Sequence, residues 1–186
     1  AVAETANQSI LASIASPFAY VLVPVVGVLS WQLAAAAITG FIAKENVVGT
    51  LAVCFVGLDN LIDTEELALL EGAGAEVAGI MAITKAAALA YLMFNLYTPP
   101  CFAAIGAMNA EMKSGKWLWG GIALQLCVGY TIGFAVYQLG TLITTGSLGA
   151  GFAGGLIAVL VMAAIIVYLC ARADRKIKAE YAVSGK

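Results

Sequence analysis

The sequence predicts an all-α integral membrane protein, a polytopic helical bundle with discontinuous helices. The first observation behind this is composition. Of 186 residues, 62% are hydrophobic and only 11% are charged, against about 25% charged in a soluble domain. The second is the distribution of charge. Residues 5–43 and 86–110 carry no formal charge, and a helix needs roughly 20 apolar residues to cross a bilayer. These runs do not alternate apolar with polar residues, as barrel strands would. The third is interruption. Prolines and glycines fall inside the runs, and proline removes a backbone donor and clashes with the preceding turn.

Taken in order, residues 1–30 read as a kinked interfacial or re-entrant helix, because Pro17 and Pro24 interrupt the stretch from Ile10 to Leu29. Trp31 stands where an interfacial aromatic anchor would. The next span, Gln32 to Leu58, carries Lys44 and Glu45 in its middle. The piece after them, from Asn46, is about 20 Å long as helix, too short to cross alone. Residues 59–76 hold Asp59, Asp63, Glu65, Glu66, Glu71 and Glu76 with no basic residue. They read as an external acidic loop with a short helix over 64–70, capped by Thr64. A span broken at Pro99-Pro100 then runs to about Met108, followed by a polar turn at 111–116. Trp117 to Gly140 is a further span, anchored by Trp117 and Trp119. A loop over 141–149 leads to a last span at 150–171 and a basic tail at 172–186. Taken together, residues 31–140 form one transmembrane region and 141–171 part of a final hairpin. Arg172, Arg175, Lys176 and Lys178 in the tail and Lys113 and Lys116 in the turn fall on one side by span counting. The positive-inside rule makes that side cytoplasmic, C-terminus included. Gly129 with Gly133, and Gly151 with Gly155, have the spacing that lets helices approach closely.

Several function classes are excluded or disfavoured. No phosphate-loop motif is present, so this chain has no such nucleotide site. There is no histidine, hence no catalytic triad and no imidazole metal ligand, and the chain does not read as an enzyme. No basic, aromatic-studded surface suits nucleic acid. Cys54, Cys127 and Cys170 lie in apolar runs and read as packing residues. The sequence starts at Ala1 without a basic leader, and is expected to be a piece of a longer polypeptide.

The candidate site is Thr98-Pro99-Pro100-Cys101. Broken backbone at membrane depth is tolerated where protein buries it or a wet cavity meets it. A half-helix begun by the two prolines would present Cys101 in its first turn, where backbone donors favour thiolate. Carbonyls freed at Asn95, Leu96 and Tyr97 would add oxygen ligands. Soft thiolate suits transition metals; the alternative is a structural cysteine beside a kink. Lys44 and Glu45 are costly inside a span and mark either a pathway or an ion pair. As sequence neighbours they point about 100° apart, so each is expected to find a partner elsewhere, or one of them to face water. Thr50, Gly40 and Asn95 lie near enough to line a path, or to serve as interhelical contacts. Discontinuous spans that meet near the midplane are the usual pointer to a transport site.

These residues also carry a resemblance. Trp31-Gln32-Leu33, Gly40-Phe41-Ile42-Ala43-Lys44-Glu45 and Val47-Val48-Gly49-Thr50-Leu51 resemble the second Gate motif region of the bacterial ferrous iron transporter family, FeoB. Leu96 to Ile105 is similar to that family's Tyr-x-Pro-Cys segment. Glu111, with Ser114-Gly115-Lys116-Trp117-Leu118-Trp119, resembles its Glu-x-Gly-Ser-Trp-Lys-Trp turn, and Val136-Tyr137-Gln138-Leu139-Gly140 its next-to-last span. The second proline, Pro100, is a departure able to shift the register of the cysteine.

The resemblance implies the C-terminal, Gate-type half of a GTP-dependent Fe²⁺ uptake transporter in the bacterial inner membrane. It puts Cys101 and Glu45 forward as iron ligands, with Lys44, Asn95, Thr98, Pro99 and Pro100 on the path. Fe²⁺ would be the transported substrate. GTP and Mg²⁺ would belong to an N-terminal GTPase domain which, with a first Gate repeat, lies outside this sequence. Those parts, the bilayer, a second copy of the chain and a small accessory Feo protein are the expected partners. The acidic loop reads as solvated rather than cation-gathering. The alternative is a Gate-type transporter of another solute, a nucleoside or another divalent metal. A non-transporting membrane subunit is a third class.

Overall fold

The computed structural model describes residues 10–55 and 83–184. The acidic stretch 59–76 and its expected short helix lie outside the described residues. The chain divides into two units, residues 1–152 and 153–186. Every described element is helical: α1 (Ile10–Val26), α2 (Trp31–Gly40), α3 (Asn46–Phe55), α4 (Lys85–Tyr97), α5 (Phe102–Met112), α6 (Gly115–Thr145) and α7 (Phe152–Ser184).

Three segments are long and apolar enough to cross a membrane: Lys85–Met112, Gly115–Thr145 and Phe152–Arg172. The protein is a multi-pass membrane protein. Exposed Ile143, Trp117, Trp119 and Val167 fit a surface that faces lipid rather than water.

In the first unit, α1 and α2 form a bent pair, crossing at 97°. Both prolines stay within α1. The bend falls after it, where Gly27 adopts a φ of 80° beneath the Tyr137 ring. A side chain at this position would meet both the strained φ and the ring. Ser30 then opens α2, its hydroxyl accepting from the Leu33 amide at 3.4 Å, and Thr84 opens α4 in the same way, accepting from Ala87 at 3.1 Å. Both satisfy a first-turn donor that the helix itself cannot.

Helix α6 packs along α4 and also meets α1 and α5. Glycines make that approach. A methyl group built on Gly129 would lie 3.0 Å from the Thr98 amide nitrogen, one on Gly133 would lie 3.1 Å from Phe94 Cβ, and one on Gly140 would lie 2.7 Å from Ala86 Cβ. The spacing expected at 129 and 133 therefore belongs to a longer stripe. Gly151 differs from its expected role. It sits in the turn before α7 with φ 75°, and its α-carbon faces the Pro24 ring, with a built methyl 3.2 Å away. It shapes a turn rather than a helix contact.

Helix α6 also runs past Gly140 to Thr145, where a loop was expected from residue 141. The reason is local. The Thr144 hydroxyl donates to the Gly140 carbonyl at 2.8 Å and Thr145 to the Thr141 carbonyl at 2.7 Å, so these threonines satisfy themselves on the helix. The turn expected at 111–116 shrinks likewise, with helix reaching Met112 and resuming at Gly115. The basic segment after Ala171 continues α7 as helix.

Gln138 is the polar centre of this unit and is 5% exposed. Its amide donates to the Pro24 carbonyl at 3.4 Å and its Oε1 accepts from the Gly149 amide at 2.9 Å. Gln138→Leu leaves a buried carbonyl and amide without these partners. It is expected to cost about 1–3 kcal/mol, measured as a lower midpoint of thermal unfolding in detergent.

Candidate functional site

Two breaks meet in the first unit. One is the turn between α2 and α3, residues 41–45. The other is the gap between α4 and α5, residues 98–101. Each exposes backbone groups that a continuous helix would pair. The structure pairs one break with the other: the Phe102 amide, at the start of α5, donates to the Phe41 carbonyl at the end of α2, at 3.1 Å.

Proline chemistry sets the second break. Pro99 and Pro100 offer no amide to α4, and Thr98 takes an extended conformation, φ −70° and ψ 162°. Thr98 and Pro99 are buried, while Asn95, Pro100 and Cys101 are half-buried. Cys101 is the residue just before α5, extended, with no side-chain cap bond. Its carbonyl accepts from Ile105 at 3.0 Å.

The carbonyls at the end of α4 find an unusual partner. The Lys44 ammonium, delivered by the first break, donates to the Asn95 carbonyl, to the Thr98 carbonyl at 3.1 Å and to the Thr98 hydroxyl at 3.4 Å. Thr98 Oγ1 also donates to the Asn95 carbonyl at 3.0 Å. A cation at a helix C-terminus satisfies orphan carbonyls and opposes the negative end of the helix dipole. Here that cation comes from the turn between α2 and α3. Cys101 lies within electrostatic reach of the same ammonium.

Supporting contacts hold the two breaks in register. The Asn95 side-chain amide donates to the Tyr91 carbonyl at 2.8 Å, and the buried Tyr91 hydroxyl donates to the Leu33 carbonyl at 2.8 Å. Thr39 and Thr50 share a hydroxyl hydrogen bond of 2.8 Å between α2 and α3. Gly40 permits that close return: a methyl there would collide with Val47, and would lie 3.8 Å from Asn95 Oδ1.

A cleft of about 430 Å³ opens beside the break, lined by Lys44, Leu96, Tyr97, Thr98, Pro100, Leu124, Gln125 and Val128. Gln125 was missed in the sequence reading. Its signal was present, a lone amide between Leu124 and Leu126 in an apolar span. Its Oε1 is buried and has no hydrogen-bond partner among the described residues.

The structure thus brings Lys44, Asn95, Thr98, Pro99, Pro100 and Cys101 together at the crossed breaks. Glu45 is exposed. No group of three or more cysteine or carboxylate side chains capable of holding a metal ion occurs among the described residues. The oxygens gathered at the cleft are those of backbone, hydroxyl and amide.

Comparison with known proteins identifies the family. The Gate family, described as nucleoside recognition, matches residues 5–115. The chain is 30% identical over 140 residues to the Fe(2+) transporter FeoB of Staphylococcus aureus, covering 73% of this chain and 18% of that protein. It is 30% identical over 118 residues to a Fe(2+) transport protein A/Fe(2+) transporter FeoB fusion protein of Porphyromonas gingivalis, covering 60% and 14%. It is 27% identical over 178 residues to the Fe(2+) transporter FeoB of Salmonella typhimurium, covering 74% and 23%. The chain spans less than a quarter of the length of these relatives. No solved structure matches it.

Proposed function

The chain belongs to the Gate family, and from that premise we propose that it is the C-terminal membrane portion of a GTP-dependent Fe²⁺ uptake transporter. The crossed breaks form part of the ion path. The observation that carries this reading is the meeting of two helix breaks, tied by Phe102 and Phe41 and capped by Lys44. Discontinuous helices leave backbone oxygens at membrane depth only where they line a path or are buried in protein. Similarity to the Fe(2+) transporters of Staphylococcus aureus and Salmonella typhimurium supports iron as the cargo.

In this reading Cys101 ligates or relays iron at the break. Glu45, exposed on the adjoining turn, supplies an anionic group at its approach. GTP and Mg²⁺ act in an N-terminal GTPase domain, a first Gate repeat completes the path, and a small Feo protein assists; the fusion protein of Porphyromonas gingivalis supports that last partner. The chain sits in the bacterial inner membrane with its C-terminus cytoplasmic, on the placement of Arg172, Arg175, Lys113 and Lys116.

The family's description as nucleoside recognition favours a second reading, transport of another solute. Uptake of radiolabelled Fe²⁺ by the complete transporter, in cells lacking their own ferrous systems, separates the two. The iron reading predicts uptake that excess nucleoside leaves unchanged. Absent Fe²⁺ uptake alongside nucleoside uptake would replace it with the second.

A further inference from the structure

We propose that the oxygens held by Lys44, namely the Asn95 carbonyl, the Thr98 carbonyl and the Thr98 hydroxyl, are a binding site for the transported divalent cation. Lys44 is its tethered competitor, an internal cation that seals the site until a free cation displaces it. The inference rests on the transporter reading above and adds to it a ligand set and a gate.

Three oxygens from one break converge on a single ammonium. Backbone carbonyls and hydroxyls are ligands that divalent cations accept, and oxygens that already converge on an ammonium need only close in to hold a metal ion at its shorter bond length. The ammonium comes from a turn rather than a helix, on the flexible stem of a lysine. It can therefore withdraw without unwinding α2 or α3. Beside it lies a cleft of about 430 Å³ that Lys44, Thr98 and Gln125 all line. Gln125 Oε1, buried there without a hydrogen-bond partner, supplies a further oxygen that a cation in the cleft would satisfy. An unpaired buried acceptor is costly unless something takes it up. Lys44 and a divalent cation carry the same sign and need the same oxygens, so the two exclude each other. Sealing and cation entry are thus one exchange, and the backbone is never left without a cation partner.

The test uses the complete wild-type transporter, so no variant has to fold. Lys44 is modified with a small amine-reactive reagent, with and without Fe²⁺ under anaerobic conditions, and read by peptide mass spectrometry. The proposal expects Fe²⁺ to raise modification of Lys44 several-fold while Lys113 and Lys116 stay unchanged. Unchanged or reduced modification of Lys44, in a preparation that takes up Fe²⁺, overturns the proposal and leaves the transporter reading standing. Absence of Fe²⁺ uptake by the same preparation overturns the transporter reading instead. Equilibrium Fe²⁺ binding gives the second arm. Lys44→Met is expected to tighten binding by roughly 5–150-fold, the range of a typical coupling between two ligands. Adding Thr98→Val and Gln125→Leu should remove most of that gain. A gain that survives both would be a charge effect without these ligands, and would also overturn the assignment.

Discussion

Gly129→Val is expected to cripple the protein, whereas Gly120→Val, nine residues earlier on the same helix, leaves it nearly intact. Gly129 is the point where α6 touches the break. A methyl built there would stand 3.0 Å from the Thr98 amide nitrogen, 3.1 Å from Thr98 Cγ2 and 3.1 Å from the Tyr97 carbonyl carbon. Two of these three neighbours are backbone and cannot rotate away. Thr98 is itself pinned, because its amide donates to the Phe94 carbonyl at 3.0 Å and its carbonyl accepts from Lys44. Overpacking a tight contact typically costs about 1–3 kcal/mol, and valine adds two further methyls to the clash. Gly120 is exposed and has nothing within 4 Å, so valine there meets no clash and is no poorer a helix former than the glycine it replaces. The unfolding midpoint of detergent-purified protein checks the pair. Equal midpoints would mean that α6 does not seat on the break.

Phe102→Pro is expected to abolish transport while sparing helix content. Proline is well tolerated at the first position of a helix, which is where α5 begins. The preceding residue, Cys101, already has φ −59° and ψ 163°, the extended conformation that a following proline demands. The Phe102 side chain is 62% exposed, so little packing is lost. What disappears is the amide that donates to Phe41, and the proline ring occupies the place of that hydrogen and pushes the breaks apart. Circular dichroism is expected to be unchanged and Fe²⁺ uptake lost. Full uptake at normal abundance would show that the tie between the breaks is dispensable. Phe102→Ala, which keeps the amide, serves as the control and should transport.

The positions of both breaks were legible because their causes are local. Two adjacent prolines end a helix wherever they stand, and Lys44 with Glu45 cannot sit comfortably in a regular span. Asn95, Thr98 and Cys101 follow from that by proximity in sequence. The contacts between the breaks were not legible. That the Phe102 amide meets the Phe41 carbonyl is a tertiary fact between residues far apart in the chain, which no periodicity encodes. That Lys44 occupies the freed carbonyls of α4 has the same origin, although a partner on another span was expected for it. The length of α6 was misjudged because Thr141, Thr144 and Thr145 look like loop residues by type, while their hydroxyls bond back onto the helix. Gln125 stands out by type as a lone amide in an apolar span, but its place beside the break is again a tertiary fact. Its meaning appears only when the cleft is seen.

The proposed place of the break at residues 98–101 is on the iron path. It is tested most directly by Fe²⁺ uptake through the complete transporter in cells lacking their own ferrous systems, comparing wild type with Cys101→Ser at matched membrane abundance and matched unfolding midpoint. Serine keeps the size of the half-buried Cys101 side chain nearly constant and removes the soft ligand. Wild type is expected to be active and the variant to show strongly reduced uptake. Wild-type uptake through Cys101→Ser would contradict it, making Cys101 a packing residue beside the kink.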